Sequence, residues 1–574
     1  MKNTKSIINF VVIIFLLEAT FIPKVCFSEF QKPRKAKNGM VVTVSTPASL
    51  VGIQILKDGG NAVDAAVAVG FALAVTYPYA GNIGGGGFMV IHLSNGKSTT
   101  IDFREKAPLK AFRDMYLDKN GNYISSLSKE GGLAVGVPGS VAGLIYALKK
   151  YGTMSLDEVI QPAINLAENG WKLDERTAEM FSKALEKFKK HPSSYKIFSK
   201  DGDPYREGEI FKQPDLAWTL EQIKKNGRDG FYKGKVADLL IKQILEIGGI
   251  ISKEDLLKYQ PVERKPILGT YRGYEIVSMP PPSSGGIILV EMLNILENYN
   301  FEPNEWGSST YYHKLVEAMK YAYADRSVHL GDADFYPVPQ KGLLSKEYAK
   351  SIFDKIGKNA TLSSEIKAGN PKQYQESTET THYSIYDKNG NAVSVTTTLN
   401  SAFGNKVVVD GAGFLLNNEM DDFSSKPGVP NQFGLIGGEV NSIQPEKRML
   451  SSMTPTIVLK DDKPYIIIGS PGGSTIITTV LQVILNCIDF KMDIQTAIDM
   501  PRIHHQWLPD KIYFEKYAVN LDTAEKLKQM GYKLADIRKG FRILGIAEGI
   551  MVDNANHFIY GASDPRGGGS AEGY

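Results

Sequence analysis

The sequence contains very few cysteines, with only Cys26 and Cys487 among 574 residues. A disulfide-stapled scaffold and a multi-cysteine metal site are therefore excluded. It also lacks an excess of charge of one sign, because 66 Lys and Arg residues face 63 Asp and Glu residues and leave a net charge of +3. Nucleic-acid binding needs clustered cations, and no long basic run is present. The sequence therefore argues against a nucleic-acid partner.

Long apolar runs are also missing, apart from one near the N-terminus. The run Phe10–Leu17 follows the cations Lys2 and Lys5 and precedes the small residue Ser28. This arrangement predicts a signal peptide over residues 1–28, with cleavage after Ser28. The run is shorter than the roughly 20 apolar residues that a membrane span needs. We therefore expect a periplasmic or secreted protein without a stable membrane span; an uncleaved N-terminal anchor is the alternative.

Helix-like and strand-like patterns fill the rest of the chain. Glycine, at 55 residues, is clustered, and the cluster at 81–87 precedes a predicted strand that begins at Phe88. The mixture of patterns predicts layered α/β packing. The predicted helical stretches are 44–76, 155–260, 287–357 and 474–488, and the predicted strands after residue 380 are 382–387, 393–399, 411–416, 454–460 and 464–468.

The common hydrolytic signatures are absent from the sequence. There is no Gly-x-Ser-x-Gly elbow, and no His-Glu-x-x-His pair that would bind zinc on a helix. His504 and His505 are adjacent, which is the wrong spacing for a helical zinc site. Ser126-x-x-Lys129 matches a penicillin-binding pattern but lacks its Lys-Thr-Gly partner. No metal and no organic cofactor is predicted.

Thr380 begins a predicted strand directly after the polar segment 358–379. A threonine hydroxyl is a weak nucleophile near neutral pH, and a free α-amine on the same residue is one base that can activate it. Such an amine exists only after cleavage of the bond between Glu379 and Thr380. On these residues alone, an ordinary threonine at the start of a strand is the simpler interpretation.

Collinear motifs across residues 35–566 change this interpretation, because together they closely resemble the γ-glutamyltransferase (γ-glutamyltranspeptidase) family. The motifs that carry the resemblance are Asp58–Ala66, Gly84–Gly87, Asp102–Glu105, Thr380–Ser384, Asp387 with Gly390–Val393, Leu415–Phe423, Leu450–Pro455, Gly469–Ser474 and Pro501-Arg502-x-His504.

The resemblance implies a fold and a maturation step. Members of the family have the N-terminal nucleophile fold, an α/β sandwich in which two β-sheets lie between helical layers (αββα). They are made as one precursor that cuts itself. Here the cut falls between Glu379 and Thr380, so residues 29–379 become a large piece and residues 380–574 a small catalytic piece. The two pieces stay together as a heterodimer, and neither a metal nor a cofactor is required.

The resemblance also implies residue roles for cleavage of glutathione and related γ-glutamyl compounds. The γ-glutamyl group is passed from the enzyme to water, an amino acid or a dipeptide. The catalytic residues are Thr380 as nucleophile and amine base, Thr398 as its hydrogen-bond partner, and Gly472 and Gly473 as the oxyanion hole. The residues that bind the glutamyl end are Arg104, Ser451 and Ser452 for the carboxylate and Asn400, Glu419 and Asp422 for the ammonium.

The sequence departs from the family pattern at Phe433, where many bacterial members carry tyrosine. Phe433 lies on a loop of about 427–438, here called the lid, that covers the pocket in the family. The missing hydroxyl predicts a looser lid and a changed balance between hydrolysis and transfer. Two alternatives stay open at this point: a related glutaryl or cephalosporin-type acylase, and a non-catalytic exported binding protein. The sequence assigns no role to Gly84–Gly87.

Overall fold

Two β-sheets lie at the centre of the protein. The computed structural model describes residues 31–371, 381–537 and 543–574, and within these ranges each sheet has seven strands. The predicted signal peptide, Glu379 and Thr380 lie outside the described residues. Pro33–Tyr574 forms one compact unit.

All neighbouring strands of both central sheets are antiparallel. In spatial order, sheet I consists of Arg34–Ala36, Phe558–Ser563, Glu548–Asp553, Lys463–Gly469, Thr456–Lys460, Tyr274–Ser278 and Ile267–Tyr271. Sheet II consists of Ser570–Gly573, Met40–Thr43, Thr381–Tyr386, Ala392–Thr398, Gly86–His92, Ser98–Asp102 and Val262–Arg264. In a small three-stranded sheet, Ile512–Phe514 lies between Ile503–His504 and Leu534–Asp536. Two two-stranded sheets pair Trp171–Lys172 with Ile210–Phe211 and Ser199–Lys200 with Asp203–Pro204.

The two sheets pack face to face because alternate residues of each strand point to opposite faces. In the strand Met40–Thr43, Met40 and Val42 join an apolar cluster between the sheets, together with Val277 and Ile467 of sheet I. Val41, between them in the sequence, points the other way into the core under the helices. A second helical core covers the outer face of sheet I. The predicted αββα sandwich is therefore confirmed.

Helices form the two outer layers. The helices on the sheet II side are Thr46–Lys57, Ala62–Thr76, Ser140–Tyr151, Leu156–Asn169, Glu175–Phe188, Pro192–Phe198, Pro214–Asn226, Asp229–Tyr232, Gly234–Glu246 and Lys253–Lys258. The short helix Ser125–Lys129 packs through Leu127 against a separate small apolar cluster. The helices on the sheet I side are Gly285–Leu296, Ser309–His329, Gln340–Leu343, Lys346–Phe353, Ile476–Ile488, Ile494–Asp499 and Leu521–Gln529. Short 3₁₀ turns lie at Gly132–Ala134, Glu419–Asp422, Glu439–Asn441 and Gly473–Thr475. Among the described residues, none of the helices has both the length and the apolar character needed to cross a bilayer.

Two sequence predictions about elements need correction. The helical stretch 44–76 is split in two, because the side chain of Asn61 accepts hydrogen bonds from the N–H groups of Val63 and Asp64 and begins a new helix. The strand predicted at 411–416 is wrong. Gly411 and Gly413 have φ angles of +72° and +77°, which turn the chain out of the extended conformation.

Candidate active site

The site lies where the central hairpin of sheet II ends. Thr381, the first described residue after the gap at 372–380, pairs with Thr397, and Thr398 ends its strand opposite Gly86. The Thr398 hydroxyl accepts a hydrogen bond of 2.6 Å from the N–H of Asn400. The strand end is thereby held in one position.

The glycines Gly84–Gly87 allow another strand to approach this strand end closely. A Cβ atom at Gly85 would lie 2.0 Å from the Thr398 carbonyl oxygen, and one at Gly87 would lie 2.4 Å from that of Thr396. Any side chain at these positions would push the strands apart. The Gly84–Gly87 cluster, to which the sequence assigns no role, is therefore explained by close packing of the backbone.

Asn82 is a structural residue of the site that sequence reasoning missed. Its Nδ2 donates to the Thr398 carbonyl at 2.6 Å, and its Oδ1 accepts from the N–H of Gly85 at 2.8 Å. Asn82 thus holds the strand end and the glycine cluster together. Its place inside the glycine-rich stretch 81–87, two residues before Gly84, is the only signal that the sequence offers for this role.

A buried cluster of opposite charges lies beside the strand end. Arg104 Nη1 contacts Glu419 Oε2 at 2.6 Å, and Arg104 Nη2 donates to Asp422 Oδ2 at 2.8 Å. Glu105 adds a further carboxylate 3.6 Å from Arg104 Nη1. Glu105 ends the motif Asp102–Glu105, but the sequence assigns it no role in the site. In this structure the two halves of the predicted glutamyl site neutralise each other.

Burial shifts the protonation of the carboxylates in this cluster. Loss of hydration raises the pKa of Asp422 to about 6 and that of Glu105 to about 8, and it raises the pKa of Glu419 well above its ordinary value. The positive charge of Arg104 opposes each of these shifts. Arg104 and Asp422 together therefore offer one cationic and one anionic group at neutral pH.

Three more predicted residues surround this cluster. Ser452 Oγ accepts from Arg326 Nη2 at 3.2 Å, and Ser451 Oγ accepts from the N–H of Met453 at 3.4 Å. Asn400 has a φ of +72°, and its buried Oδ1 has no hydrogen-bond partner among the described residues. An unpaired buried acceptor costs free energy. A hydrogen-bond donor of a bound ligand would satisfy Asn400 Oδ1.

The lid lies between the charged cluster and Gly472 and Gly473, the predicted oxyanion hole. Asn431 Nδ2 of the lid donates to Asp422 Oδ1 at 3.3 Å, and Asn431 Oδ1 accepts from the N–H groups of Phe433 and Leu435. Lid residues Asn431 and Leu435 line one small cavity together with Asp422 and Arg326.

Gly472 and Gly473 begin the turn Gly472–Thr475, here called the glycine turn, which leads into the helix Ile476–Ile488. Their φ angles of +142° and +59° favour glycine. A Cβ atom at Gly473 would lie 2.9 Å from Cδ1 of Phe433. The ring of the lid residue therefore packs directly on the glycine turn, and backbone N–H groups at a helix start are suited to stabilise negative charge.

The structure thus brings together all the predicted site residues that it describes. Glu379 and Thr380 lie in the gap that precedes Thr381. The described part of the site combines a glycine turn at a helix start, the Thr398 hydroxyl at a strand end, and a buried cluster of opposite charges.

Known proteins resemble this chain over most of its length. A family model described as gamma-glutamyltranspeptidase matches residues 48–574. The chain is 52% identical over 536 residues to a glutathione hydrolase proenzyme of Escherichia coli (strain K12), covering 93% of this chain and 91% of that protein. It is 41% identical over 576 residues to a glutathione hydrolase proenzyme of Bacillus subtilis (strain 168), covering 97% and 95%.

Solved structures are also similar to this chain. The crystal structure of Helicobacter pylori gamma-glutamyltranspeptidase is 55% identical, with a TM-score of 0.56, and covers 56% of this chain and 93% of that chain. The cephalosporin acylase from Bacillus halodurans is 29% identical, with a TM-score of 0.85, and covers 96% and 99%. The acylase shares the fold at a lower identity than the glutathione hydrolases.

Proposed function

This chain belongs to the γ-glutamyltranspeptidase family and cleaves γ-glutamyl bonds, and from this premise we propose that it acts through a γ-glutamyl-enzyme formed on Thr380. The Thr380 hydroxyl attacks the γ-carbonyl carbon of glutathione or a related compound while the Thr380 α-amine takes the hydroxyl proton. The proton then passes to the leaving amine as the C–N bond breaks. Water, an amino acid or a dipeptide attacks the resulting ester and frees Thr380.

The described residues supply the rest of this mechanism. The N–H groups of Gly472 and Gly473 stabilise the oxyanion of each tetrahedral intermediate, where preorganised donors act most strongly. Thr398 accepts a hydrogen bond from Asn400 and presents its hydroxyl oxygen at the strand end. It orients the nucleophile in our proposal. The register Thr381↔Thr397 supports this role, because it brings the start of the small piece beside the end of the Thr398 strand.

The buried contacts of Arg104 with Glu419 and Asp422 are the single observation that carries the choice of substrate. A γ-glutamyl donor ends in a zwitterion, so its carboxylate binds Arg104, Ser451 and Ser452. Its ammonium binds Asn400, Glu419 and Asp422. The substrate thereby exchanges an ion pair within the protein for two ion pairs with the ligand, and no buried charge is left unpaired.

A comparison of two donors tests this assignment. We expect a γ-glutamyl anilide to be cleaved at least about 100-fold faster in kcat/KM than a glutaryl anilide, because the glutaryl donor lacks the ammonium and leaves buried carboxylates unpaired. Release of the anilide chromophore measures both rates. Faster cleavage of the glutaryl donor would favour the acylase alternative.

The pH dependence of donor binding provides a second test. Asp422 is protonated below a pKa of about 6 and then no longer attracts the ammonium. We expect the Ki of a non-reactive γ-glutamyl analogue to rise by up to about tenfold per pH unit below pH 6. Asp422→Asn should bind weakly and lose this dependence. An analogue without the ammonium is the control, and an unchanged acid limb in Asp422→Asn would contradict the role of Asp422.

We propose further that the chain matures into the pieces 29–379 and 380–574. Each sheet contains strands from both pieces, and the strands Thr381–Tyr386 and Ala392–Thr398 lie between Met40–Thr43 and Gly86–His92 of the large piece. These backbone ladders support a stable heterodimer after the cut. Denaturing electrophoresis should give two bands, whereas a non-catalytic binding protein would give one.

We also propose that the predicted signal peptide, residues 1–28, directs export to the periplasm or the medium. The expected result is an N-terminus at Glu29 in the purified large piece, read by N-terminal sequencing. A large piece that still begins at Met1 would favour the uncleaved anchor.

A further inference from the structure

Gln506 lies between the lid and the glycine turn and makes hydrogen bonds on both sides. Its Nε2 donates to the carbonyl oxygens of Phe433 at 3.2 Å and Leu508 at 3.3 Å. Its Oε1 accepts from Ser474 Oγ at 2.7 Å and lies 3.0 Å from His504 Nε2. Gln506 is almost fully buried, so water does not readily replace these partners.

The orientation of this amide is fixed by its neighbours. The carbonyls of Phe433 and Leu508 only accept, so the –NH₂ group of Gln506 must face them. Burial lowers the pKa of His504 to about 3, so the ring is neutral and carries one N–H group. That proton lies on Nε2, because Gln506 Oε1 only accepts. His504 thus holds the Gln506 carbonyl toward Ser474.

Ser474 directly follows Gly473 in the glycine turn, and the carbonyl of Ser474 accepts a hydrogen bond from the Tyr323 hydroxyl. On the other side, the Phe433 ring lies against Gly473. The lid is therefore attached to the turn twice, by ring packing on Gly473 and by the Gln506 bridge between Phe433 and Ser474. The second attachment does not use the ring.

We infer that Gln506 is a positioning residue that couples closure of the lid to the geometry of the glycine turn. This inference rests on the proposed function, because that proposal places the oxyanion of the reacting carbonyl on the N–H groups of the glycine turn. A closed lid holds Ser474 through Gln506 and keeps the preceding N–H of Gly473 aimed at the oxyanion. It also limits the access of water to the γ-glutamyl-enzyme.

The Gln506 bridge does not depend on the side chain at position 433. The side chain of Phe433 has no polar atom, so it cannot hydrogen-bond across the pocket. The main-chain carbonyl of Phe433 carries the polar contact instead. Gln506 and the Asn431 contact with Asp422 both hold the lid without a hydroxyl at position 433.

Gln482 provides a matched control in the same region. It is also a buried amide, with bonds from Nε2 to the carbonyls of Thr478 and Ile503 and from the N–H of Ile503 to its Oε1. Thr478 and Ile503 lie outside the lid and the glycine turn. Loss of Gln482 reports the general cost of removing a buried amide, whereas loss of Gln506 reports that cost plus the loss of coupling.

The test uses the mature enzyme and the variants Gln506→Met and Gln482→Met, which keep a similar shape without the amide. Hydrogen exchange of the peptide 427–438 is measured by mass spectrometry. It should rise roughly tenfold in Gln506→Met, as expected for loss of about one buried hydrogen bond, and stay within about twofold in Gln482→Met. The transfer-to-hydrolysis ratio should fall only in Gln506→Met. Equal lid exchange in the two variants would overturn the inference.

Gln506→Glu separates the two sides of the bridge if Gln506→Met fails to mature. The carboxylate still accepts from Ser474 and His504 but repels the carbonyls of Phe433 and Leu508. We expect faster exchange in the lid; unchanged lid exchange refutes the coupling. Because exchange does not depend on turnover, failure of the coupling is distinguishable from failure of the proposed function, which would appear as wild-type enzyme without γ-glutamyl cleavage.

Discussion

Thr380→Ala is expected to yield one uncut chain without γ-glutamyl cleavage. The substitution removes the hydroxyl that attacks the γ-carbonyl, and it removes the hydroxyl that would cut the bond after Glu379. Loss of a covalent nucleophile lowers kcat by at least about 10⁴-fold in other hydrolases. Denaturing electrophoresis measures the cut, and anilide release measures turnover.

The neighbouring threonine provides the control for this experiment. Thr381→Ala changes the next residue of the strand Thr381–Tyr386 and leaves the hydroxyl and the α-amine of Thr380 in place. This variant should still be cut into two pieces and remain active. A Thr380→Ala protein that stays uncut yet turns over the donor would exclude Thr380 as the nucleophile.

Gly473→Ala is expected to lower kcat by about 10²- to 10³-fold, as loss of one oxyanion donor does in other enzymes. The new methyl group would lie 2.9 Å from Phe433 Cδ1, and a φ of +59° is unfavourable for alanine. The turn must therefore shift, and the N–H of Gly473 leaves its position. The Ki of a non-reactive donor analogue should change little, because the charged cluster is untouched.

Gly227→Ala controls for backbone strain in this comparison. Gly227 has the same φ of +59°, and no atom lies within 4 Å of a Cβ atom built there. Alanine at a positive φ costs about 1 to 3 kcal/mol of unfolding free energy, so both variants should be destabilised, but only Gly473→Ala should lose turnover. Equal kcat in the two variants would remove Gly473 from the oxyanion site.

Local patterns explain which elements were predictable. The hairpin Thr381–Thr398 combines alternating apolar residues with an Asn-Gly turn, and both signals act over a few residues. The stretch 411–416 ends in three apolar residues but forms no strand. Gly413 packs against Asp215 and Leu216. The neighbouring Ala412 carbonyl accepts a hydrogen bond from the Thr219 hydroxyl, which lies 193 positions away in the sequence. Both contacts therefore come from a distant segment of the chain.

The sequence by itself determined the family and the reaction, because the collinear motifs carry the residue types that the family's chemistry requires. It also predicted the hairpin Thr381–Thr398, since strand alternation and an Asn-Gly turn depend on near neighbours. Only the tertiary structure decided that Arg104 contacts Asp422 across 318 positions, that Gly85 and Gly87 make room for the Thr398 strand, and that Gln506 joins the lid to the glycine turn. Such contacts depend on how distant segments pack, and packing distances leave no local pattern in the chain.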